Sequence, residues 1–206
     1  MATIGLSRPY YAKYENSGST VTYSGGALLG KAIELSMDLD SADSNILYAD
    51  DGPAESDNQF AGGTLTIKTD DLLPEAAAGI LGLTLQSGAG STQELVFGDA
   101  QEIPYVGFGA IVKKKKDGVI KWMGLVLPKV QFSNPGISAV TQGETIDWQT
   151  PELSATIMRD DTSAHNWCRY ALFESKDDAE IYVTGLLDIS GTSSASIYSA
   201  FSKDEL

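Results

Sequence analysis

The residues that come closest to a nucleotide-binding motif lie near the start of the chain, in the segment GGALLGK. Gly25 to Lys31 have the spacing of a P-loop, whose glycine-rich backbone holds phosphate groups that its lysine also reaches. A P-loop also needs a serine or threonine after the lysine and a helix after that residue. Here Ala32 follows Lys31, and the next residues alternate between apolar and polar, which is typical of a strand. The sequence therefore argues against a nucleotide site.

The chain has a single histidine, His165, and a single cysteine, Cys168. A zinc site would have to be completed by carboxylates, and the sequence contains no ligand spacing of the usual kind. A serine nucleophile of the G-x-S-x-G type is also missing, since the nearest match, at Gly136, lacks the final glycine. We expect structural roles for both residues, and we expect neither a metal nor a cofactor.

Adjacent aspartates occur four times, at 50–51, 70–71, 160–161 and 177–178. Neighbouring side chains in a strand point to opposite sides, so these pairs do not supply the facing carboxylates of a glycosidase. The acids at 38–43 lack the glycine and glutamate of an EF-hand loop, and adventitious calcium binding in the acidic loop at 40–60 is the open alternative. We therefore expect a protein that is not an enzyme.

The charge is unevenly distributed along the chain. The net charge is −14, and residues 32–112 contain 14 acids against one base, Lys68. Contacts to phosphate groups need lysine and arginine, so this distribution argues against nucleic-acid binding. The sequence has no apolar run of 18 residues, and we expect no membrane span. The 206 residues suit one domain, predicted over 1–189, followed by a flexible serine-rich tail at 190–206.

Two-residue alternation predicts a mainly β protein with two short helices. The helices are predicted over Glu75–Leu81 and over Lys176–Leu187, the second after a Ser175 cap. The predicted strands are Tyr10–Tyr14, Val21–Tyr23, Ala32–Asp40, Thr64–Thr69, Val106–Lys116, Val119–Val130, Ile146–Met158 with a kink at Pro151, and Cys168–Phe173.

The pair Asp117-Gly118 predicts a β-hairpin with a two-residue type I′ turn. Its register places three pairs opposite each other: Val112 and Met123, Ala110 and Leu125, and Phe108 and Leu127. Gly107 and Gly109 in the same strand predict a bend or a close backbone approach.

Two charged segments are candidates for contact with a partner. Residues 40–60 predict a long acidic loop, and the apolar residues within it suggest that it docks on a partner surface. A small hairpin that packs on its own domain is the alternative. The lysine run at the hairpin tip predicts either a solvated strand end or a basic surface that seeks an acidic partner. The candidate contact residues are Ile46, Leu47, Tyr48, Asp50, Asp51, Lys113, Lys114, Lys115 and Lys116.

From Lys31 to Leu83 the chain reads as a strand, an acidic loop, a second strand, the tetrapeptide TDDL and a small helix ending in LG. This order, with the start ATIGLSRPYYAKY and the segment TVTYSGG, resembles the major tail protein, or tail tube protein, of long non-contractile-tailed bacteriophages. The resemblance extends to about residue 190. It implies a β-sandwich or partial barrel with one or two short flanking helices.

The resemblance also implies a structural protein of the virion tail, assembled in the bacterial cytoplasm. Its subunits would form rings, typically hexamers, that stack head to tail into a tube for DNA ejection. The implied partners are further copies of the chain and the tape measure, tail-terminator and distal tail proteins, while DNA passes without specific binding. On this basis the lumen-facing residues are Glu34, Ser36, Asp38, Asp40, Thr64 and Thr66, and the residues that enter the core are Ile33, Leu35, Met37 and Leu39.

The rival interpretation is a β-sandwich module that binds carbohydrate or another surface ligand. Trp122, Trp148 and Trp167 supply the aromatic rings that such a module needs. Alternation in the predicted strands favours burial of Trp122 and Trp148 in the core instead.

Overall fold

The computed structural model describes residues 1–41, 45–49, 52–57, 60–87, 93–136, 139–141 and 149–189. This part of the chain is mainly β, as the sequence predicted. Its elements, in chain order, are β1 (Ala2–Ser17), β2 (Thr20–Leu28), β3 (Ala32–Ser41), β4 (Asn45–Ala49), β5 (Gly52–Asp57), β6 (Phe60–Thr69), α1 (Pro74–Leu81), β7 (Thr84–Ser87), β8 (Gln93–Val96), β9 (Val106–Lys116), β10 (Val119–Phe132), β11 (Glu152–Met158), β12 (Arg169–Phe173) and α2 (Lys176–Leu186).

One large antiparallel sheet organises the molecule, in the order β2-β1-β9-β10-β11-β6-β3. Strand β12 is not part of this order. It pairs with residues Trp122–Val126 of β10. Strands β1 and β3 lie far apart in the sheet order, yet they contact each other. The sheet therefore curls into a partial barrel, which agrees with the predicted fold class.

The curled sheet has a core on each side. Inside the curl, side chains of β6, β9, β10 and β11 pack with α1, and Leu65, Phe108 and Ile157 are almost fully buried there. On the outer side, α2 packs against β9 and β10 through Ala179, Tyr182 and Val183. Helix α2 begins as predicted, since the backbone N–H of Asp178 donates to Ser175 Oγ at 3.0 Å.

Glycines in β9 and β10 allow α2 to lie close to the sheet. A Cβ atom added to Gly109 would lie 2.5 Å from a methyl carbon of Val183, and one added to Gly124 would lie 2.9 Å from the ring of Tyr182. The close backbone approach predicted for Gly107 and Gly109 is thus confirmed. Any larger residue at these positions would push the helix outward.

The predicted β9–β10 hairpin is confirmed with its register. Val112 opposes Met123, Ala110 opposes Leu125 and Phe108 opposes Leu127. Asp117 and Gly118 both have positive φ, 51° and 83°, as a type I′ turn requires.

Some predicted element bounds were wrong. Strand β11 begins at Glu152, after the predicted kink at Pro151, and residues 146–148 of the predicted strand lie outside the described residues. The small hairpin of β7 and β8 was not predicted from the sequence, because its four-residue strands are too short to give a clear periodic signal. Residues 190–206, predicted as a flexible tail, lie outside the described residues as well.

The segment predicted as a long loop contains a β-hairpin instead. Ser41 opposes Phe60 at the end of the β3–β6 ladder, and Asn45 opposes Asp57 at the start of the β4–β5 ladder. The two ladders are separated by residues 42–44 on one side and 58–59 on the other, which lie outside the described residues. We call the β4–β5 hairpin the arm. In the described part of the chain it has no more than marginal contact with other helices and strands.

One prediction about the core was wrong. Ile33 and Leu39 were expected inside, but they are 52% and 48% exposed, while Leu35 and Met37 pack partly against the core. Strand β3 is the last strand of the sheet order, and within the described residues it pairs only with β6. We call its unpaired side the outer edge. With a neighbour on one side only, β3 cannot cover all four of its apolar side chains.

Candidate assembly surface

The six residues predicted to face a lumen lie on or beside one polar face of the sheet. Ser36 opposes Thr66 and Asp38 opposes Thr64, while Asp40 opposes Gly62. Side chains of directly opposed residues in an antiparallel sheet lie on the same face. Glu34 joins this face through its pairing with Lys68. The structure thus brings together β3 and β6 residues that the sequence analysis assigned from alternation and resemblance.

Strand β11 extends this face by one further strand, which the sequence analysis did not include. Glu152 opposes Lys68, Ser154 opposes Thr66 and Thr156 opposes Thr64. A signal was present, because residues 152–158 alternate as clearly as β3 does. What the sequence could not show was that β11 pairs with β6, since 82 residues separate Thr69 from Glu152.

We call this surface the polar face; its members are Glu34, Ser36, Asp38 and Asp40 of β3, Thr64, Thr66 and Lys68 of β6, and Glu152, Ser154 and Thr156 of β11. Its four carboxylates and one ammonium group give a net charge of −3. Lys68 Nζ lies 2.8 Å from Glu34 Oε2 and 3.5 Å from Glu152 Oε2. The hydrogen bond to Glu34 is the main cause that raises the pKa of Lys68. The only base of the face is therefore already paired with two acids.

The reverse side of the same three strands forms part of the core. Leu65, Ile67 and Leu153 are fully buried, and Ile157 is almost so. A rigid apolar layer thus supports the polar face from behind. An acidic surface with this backing keeps a fixed shape, which a charged loop would not.

An apolar groove of about 620 Å³ opens between β1, β3, β10 and the start of β12. We define the apolar groove by six of its lining residues: Leu6, Ile33, Leu35, Met37, Met123 and Trp167. Its border also includes Tyr170, which is 65% exposed, and the half-buried Lys114. This groove was not predicted from the sequence, because its walls come from strands far apart in the chain.

Trp167 connects the apolar groove to the base of the arm. Its ring stacks on that of Phe60, the first residue of β6 after the arm, with centroids 4.5 Å apart. The guanidinium of Arg159 lies 6.0 Å from the Phe60 ring centroid and donates a hydrogen bond to the Phe60 carbonyl. The base of the arm is thus held against a wall of the groove.

The four lysines of β9 do not form a single basic surface. Lys113 Nζ lies 5.2 Å from the centroid of the Trp122 ring, and Lys176 Nζ lies 5.8 Å from the same ring. Lys114 opposes Thr3 of β1 and Lys121 of β10, and it borders the apolar groove. Lys115 and Lys116 are exposed at the hairpin tip. Because β1 pairs with β9 as far as Lys115, this side of the tip is not an open strand edge.

The other predicted contact residues belong to the arm. Ile46, Leu47 and Tyr48 are in β4, where the structure describes the backbone pairing and not the side chains. Asp50 and Asp51 lie outside the described residues. Their assignment to a contact between subunits stays a prediction.

The single histidine and the single cysteine lie in the described part of the chain, and neither belongs to a metal-binding cluster there. In the ranges that the structure describes, no three His, Cys, Asp or Glu side chains are grouped so as to hold a metal ion. His165 is exposed, with its Nδ1 3.2 Å from the carbonyl oxygen of Asp160. Cys168 is half-buried at the apolar groove, and burial raises the pKa of its thiol. A thiol with a raised pKa is a poor nucleophile at neutral pH.

A second, smaller cleft of about 210 Å³ lies between β2, the end of α2 and the loop before β12. Asp160 lies there, buried, and accepts a hydrogen bond from Thr162 Oγ1 at 2.7 Å. Arg169 and Asp188 line the same cleft. The described lining of this cleft thus includes one cation and two acids.

No protein-family model matches the chain, and no curated protein matches it in sequence. Among the described helices, none is both long and apolar enough to cross a membrane.

Proposed function

We propose that this protein is the subunit of a bacteriophage tail tube, a non-catalytic virion protein that polymerises as stacked rings around a channel for DNA. The observation that carries this proposal is the polar face, which is acidic, rich in hydroxyl groups and supported by a rigid core. The order of elements from Lys31 to Leu83 resembles that of tail tube proteins. On the basis of this resemblance we assign the polar face to the wall of the lumen.

The charge of the polar face suits a conduit for DNA. A channel that bound phosphate groups through lysine and arginine would hold the DNA that must pass through it. At physiological ionic strength the Debye length is about 8 Å. DNA in the channel therefore interacts mainly with the charges of the residues that line the wall. Glu34, Asp38 and Glu152 repel phosphate at this distance, and Lys68 is neutralised by its acidic partners.

The outer edge of β3 supports assembly from identical subunits. An isolated subunit leaves the backbone groups of this edge without a strand partner in the described structure, and it exposes Ile33 and Leu39. Such an edge is prone to pairing with another chain. If a neighbouring subunit pairs there, the exposed apolar side chains become covered and the polar face continues onto the next subunit.

The wider setting follows from the same proposal. The subunits form rings, typically hexamers, that stack head to tail, and stacking requires two different complementary surfaces on each subunit. The tape measure, tail-terminator and distal tail proteins are the expected partners at and within the tube. Assembly takes place in the bacterial cytoplasm, without a cofactor and without a membrane.

Negative-stain electron microscopy of the purified protein over a concentration series tests the proposal. Hollow tubes or stacked rings of uniform diameter support it. A protein that stays monomeric at every concentration, including after addition of a tail-initiator complex, contradicts it.

A ligand-binding β-sandwich is the second candidate, and the exposed Tyr170 beside the apolar groove favours it. The two described tryptophans give it less support, because Trp167 stacks on Phe60 and Trp122 lies close to the ammonium groups of Lys113 and Lys176. A glycan array distinguishes this candidate: saturable binding that Tyr170→Ala abolishes, from a protein that stays monomeric, would favour it over the tube.

A further inference from the structure

We propose that the first half of β1, residues 2–7, is a strap that leaves the sheet on its own and uncovers the edge of β9. One ion pair, between Arg8 and Glu180, holds it closed. The inference concerns the conformation of a single chain and does not depend on the proposed function. We call residues 2–7 the strap, and Arg8 with Pro9 the hinge.

The two halves of β1 are held very differently. Residues 10–17 pair with β2 on one side, and residues 10–13 also pair with β9 on the other. The strap pairs, within the described residues, with β9 alone. No residue of the strap is buried as a whole, whereas Tyr11 and Ala12 are. A segment with few buried groups and one neighbouring strand opens at a lower free energy than the rest of its domain.

The hinge interrupts the β1–β9 ladder between the two halves. Ser7 opposes Ile111, and Tyr10, three residues further along β1, opposes a residue only two positions away, Gly109. The extra residue forms a β-bulge. Arg8 has a φ of 51°, which residues with a side chain seldom adopt, and a residue before proline normally prefers an extended conformation. Strain of this kind persists only where other contacts enforce it.

A buried hydroxyl group in the strap also weakens the closed state. Within the described structure, the Ser7 Oγ atom is almost inaccessible to solvent and has no hydrogen-bond partner. Ser7 opposes Ile111, which belongs to the core beneath α2. An unpaired buried hydroxyl has lost its hydrogen bonds to water without a replacement, and opening of the strap restores them.

The contact that opposes opening lies at the hinge. The Arg8 guanidinium donates a hydrogen bond to Glu180 Oε1 and forms an ion pair with it, and the Tyr10 hydroxyl donates to the same oxygen at 2.5 Å. Glu180 is fixed in place, because α2 packs on the sheet through Ala179 and Val183. The Arg8 side chain is 47% exposed, so water competes for the ion pair and its strength is modest. The strap is therefore held by a contact that is easily weakened.

Opening of the strap changes the surface of the chain in two places. It uncovers the backbone groups of residues 111–115, and an uncovered strand edge can pair with a further strand. It also removes Thr3 and Leu6 from the lining of the apolar groove. The closed strap thus protects the free chain from strand pairing at β9, and its release makes this edge available.

Amide hydrogen exchange of the full-length protein, followed residue by residue by NMR, tests the proposal. The N–H groups of successive residues in β9 point alternately to β1 and to β10. Opening of the strap therefore exposes the amides of residues 111–115 that face β1 and leaves those that face β10 protected. We expect the β1-facing amides of β9 and the strap amides bonded to them to share one level of protection. This level should lie below that of residues 10–13 and of β10.

Matched substitutions separate the ion pair from a general effect of charge. Glu180→Gln removes the charge that Arg8 binds, and Asp177→Asn makes the same change at an exposed position of α2. Glu180→Gln should speed exchange of the strap about fivefold, which is the scale of an exposed ion pair, and Asp177→Asn should leave it unchanged. Ser7→Ala removes the unpaired hydroxyl and should slow exchange of the strap by a similar factor.

A second pair of variants tests the hinge. Arg8→Ala and Arg8→Gly both remove the ion pair, but only glycine adopts a positive φ without strain. The strap should therefore exchange faster in Arg8→Ala than in Arg8→Gly. Equal rates in the two variants would overturn the strained hinge.

Two further results would overturn the strap itself. Equal exchange of the strap and of residues 10–13 in the parent protein would mean that β1 does not open in two parts. An effect of Glu180→Gln no larger than that of Asp177→Asn, or one that extends through β10, would mean that the ion pair does not specifically hold the strap. Neither result bears on tube formation, which electron microscopy tests separately.

Discussion

Phe60 and Trp167 stack face to face, with ring centroids 4.5 Å apart and ring planes within 4° of each other. The two residues are more than a hundred positions apart in the chain, and their contact joins the base of the arm to the apolar groove. The last residue of the acidic segment 40–60 thus packs against a wall of the apolar groove.

Removal of the stack should loosen the arm without unfolding the domain. Trp167→Ala takes away the ring on which Phe60 rests, whereas Trp167→Phe keeps an aromatic partner. We expect limited proteolysis within residues 41–60 to be several times faster in Trp167→Ala than in the parent protein or in Trp167→Phe. Equal cleavage rates in all three proteins would show that the stack does not hold the arm.

A methyl group at Gly109 should destabilise the domain. Its Cβ would lie 2.5 Å from a side-chain carbon of Val183, so α2 must move away from the sheet. Overpacking of this kind costs about 1–3 kcal/mol of unfolding free energy, and urea denaturation measures it. Gly98→Ala is the matched control, because a Cβ there has no atom within 4 Å. An equal loss in both variants would mean that the glycine is not needed for helix packing.

Asp161 should stabilise the fold at neutral pH and not in strong acid. Its carboxylate accepts hydrogen bonds from Lys129 Nζ at 2.7 Å, from the Tyr14 hydroxyl at 2.8 Å and from Asn16 at 3.0 Å. The hydrogen bond from Lys129 is the largest cause that lowers the pKa of Asp161 below its ordinary 3.8, and the bond from Tyr14 is the next. A lowered pKa in the folded state adds stability above pH 3.8, and this stability is lost as the pH falls through the folded value.

The matching variant is Asp161→Asn. At pH 7 it should lower the free energy of unfolding by about 1 kcal/mol, because the carboxylate is partly exposed to solvent. The difference from the parent protein should shrink as the pH falls below 3.8. Thermal denaturation over a pH series measures it, and a difference that stayed constant down to the lowest pH would argue against an ionised Asp161 in the folded state.

Local chemistry in the sequence was sufficient for much of this fold. The β9–β10 register followed from Asp117-Gly118, because the positive φ values of a type I′ turn select such residues. The start of α2 followed from Ser175, whose hydroxyl accepts a backbone N–H. In both cases the signal and the structure that it determines lie within a few residues of each other.

The pairing of strands that lie far apart in the chain could not be predicted from a single sequence. Alternation in β3 correctly separated its polar side from its apolar side, but Ile33 and Leu39 are exposed because β3 lies at the end of the sheet order. The same limit explains why Glu152 was not assigned to the polar face and why the apolar groove was missed. Their neighbours are set by the order of strands in the sheet, which no local pattern encodes.

Charge reversal on the polar face should turn a tube that repels DNA into one that retains it. Glu34→Lys with Asp38→Lys changes the net charge of the face from −3 to +1, since each substitution removes an acid and adds a base. We expect tubes to form and to bind fluorescent double-stranded DNA, with an affinity that falls steeply as salt is added. Binding is measured by fluorescence anisotropy and ejection by infection assays in a phage that carries the variant.

The control for this experiment has the same change of charge elsewhere. Asp99→Lys with Glu102→Lys alters two exposed acids outside the polar face. It should leave DNA binding and ejection as in the parent protein. If both double variants bind DNA equally, the total charge of the subunit explains the binding, and the assignment of the polar face to the lumen is contradicted.

The most direct measurement is a cryo-electron microscopy reconstruction of the assembled protein. We predict a hollow tube of stacked rings in which Glu34, Asp38, Thr64 and Glu152 face the channel and the outer edge of β3 pairs with the neighbouring subunit. A tube with the polar face on its outer surface, or a solid or sheet-like assembly without a channel, would contradict it.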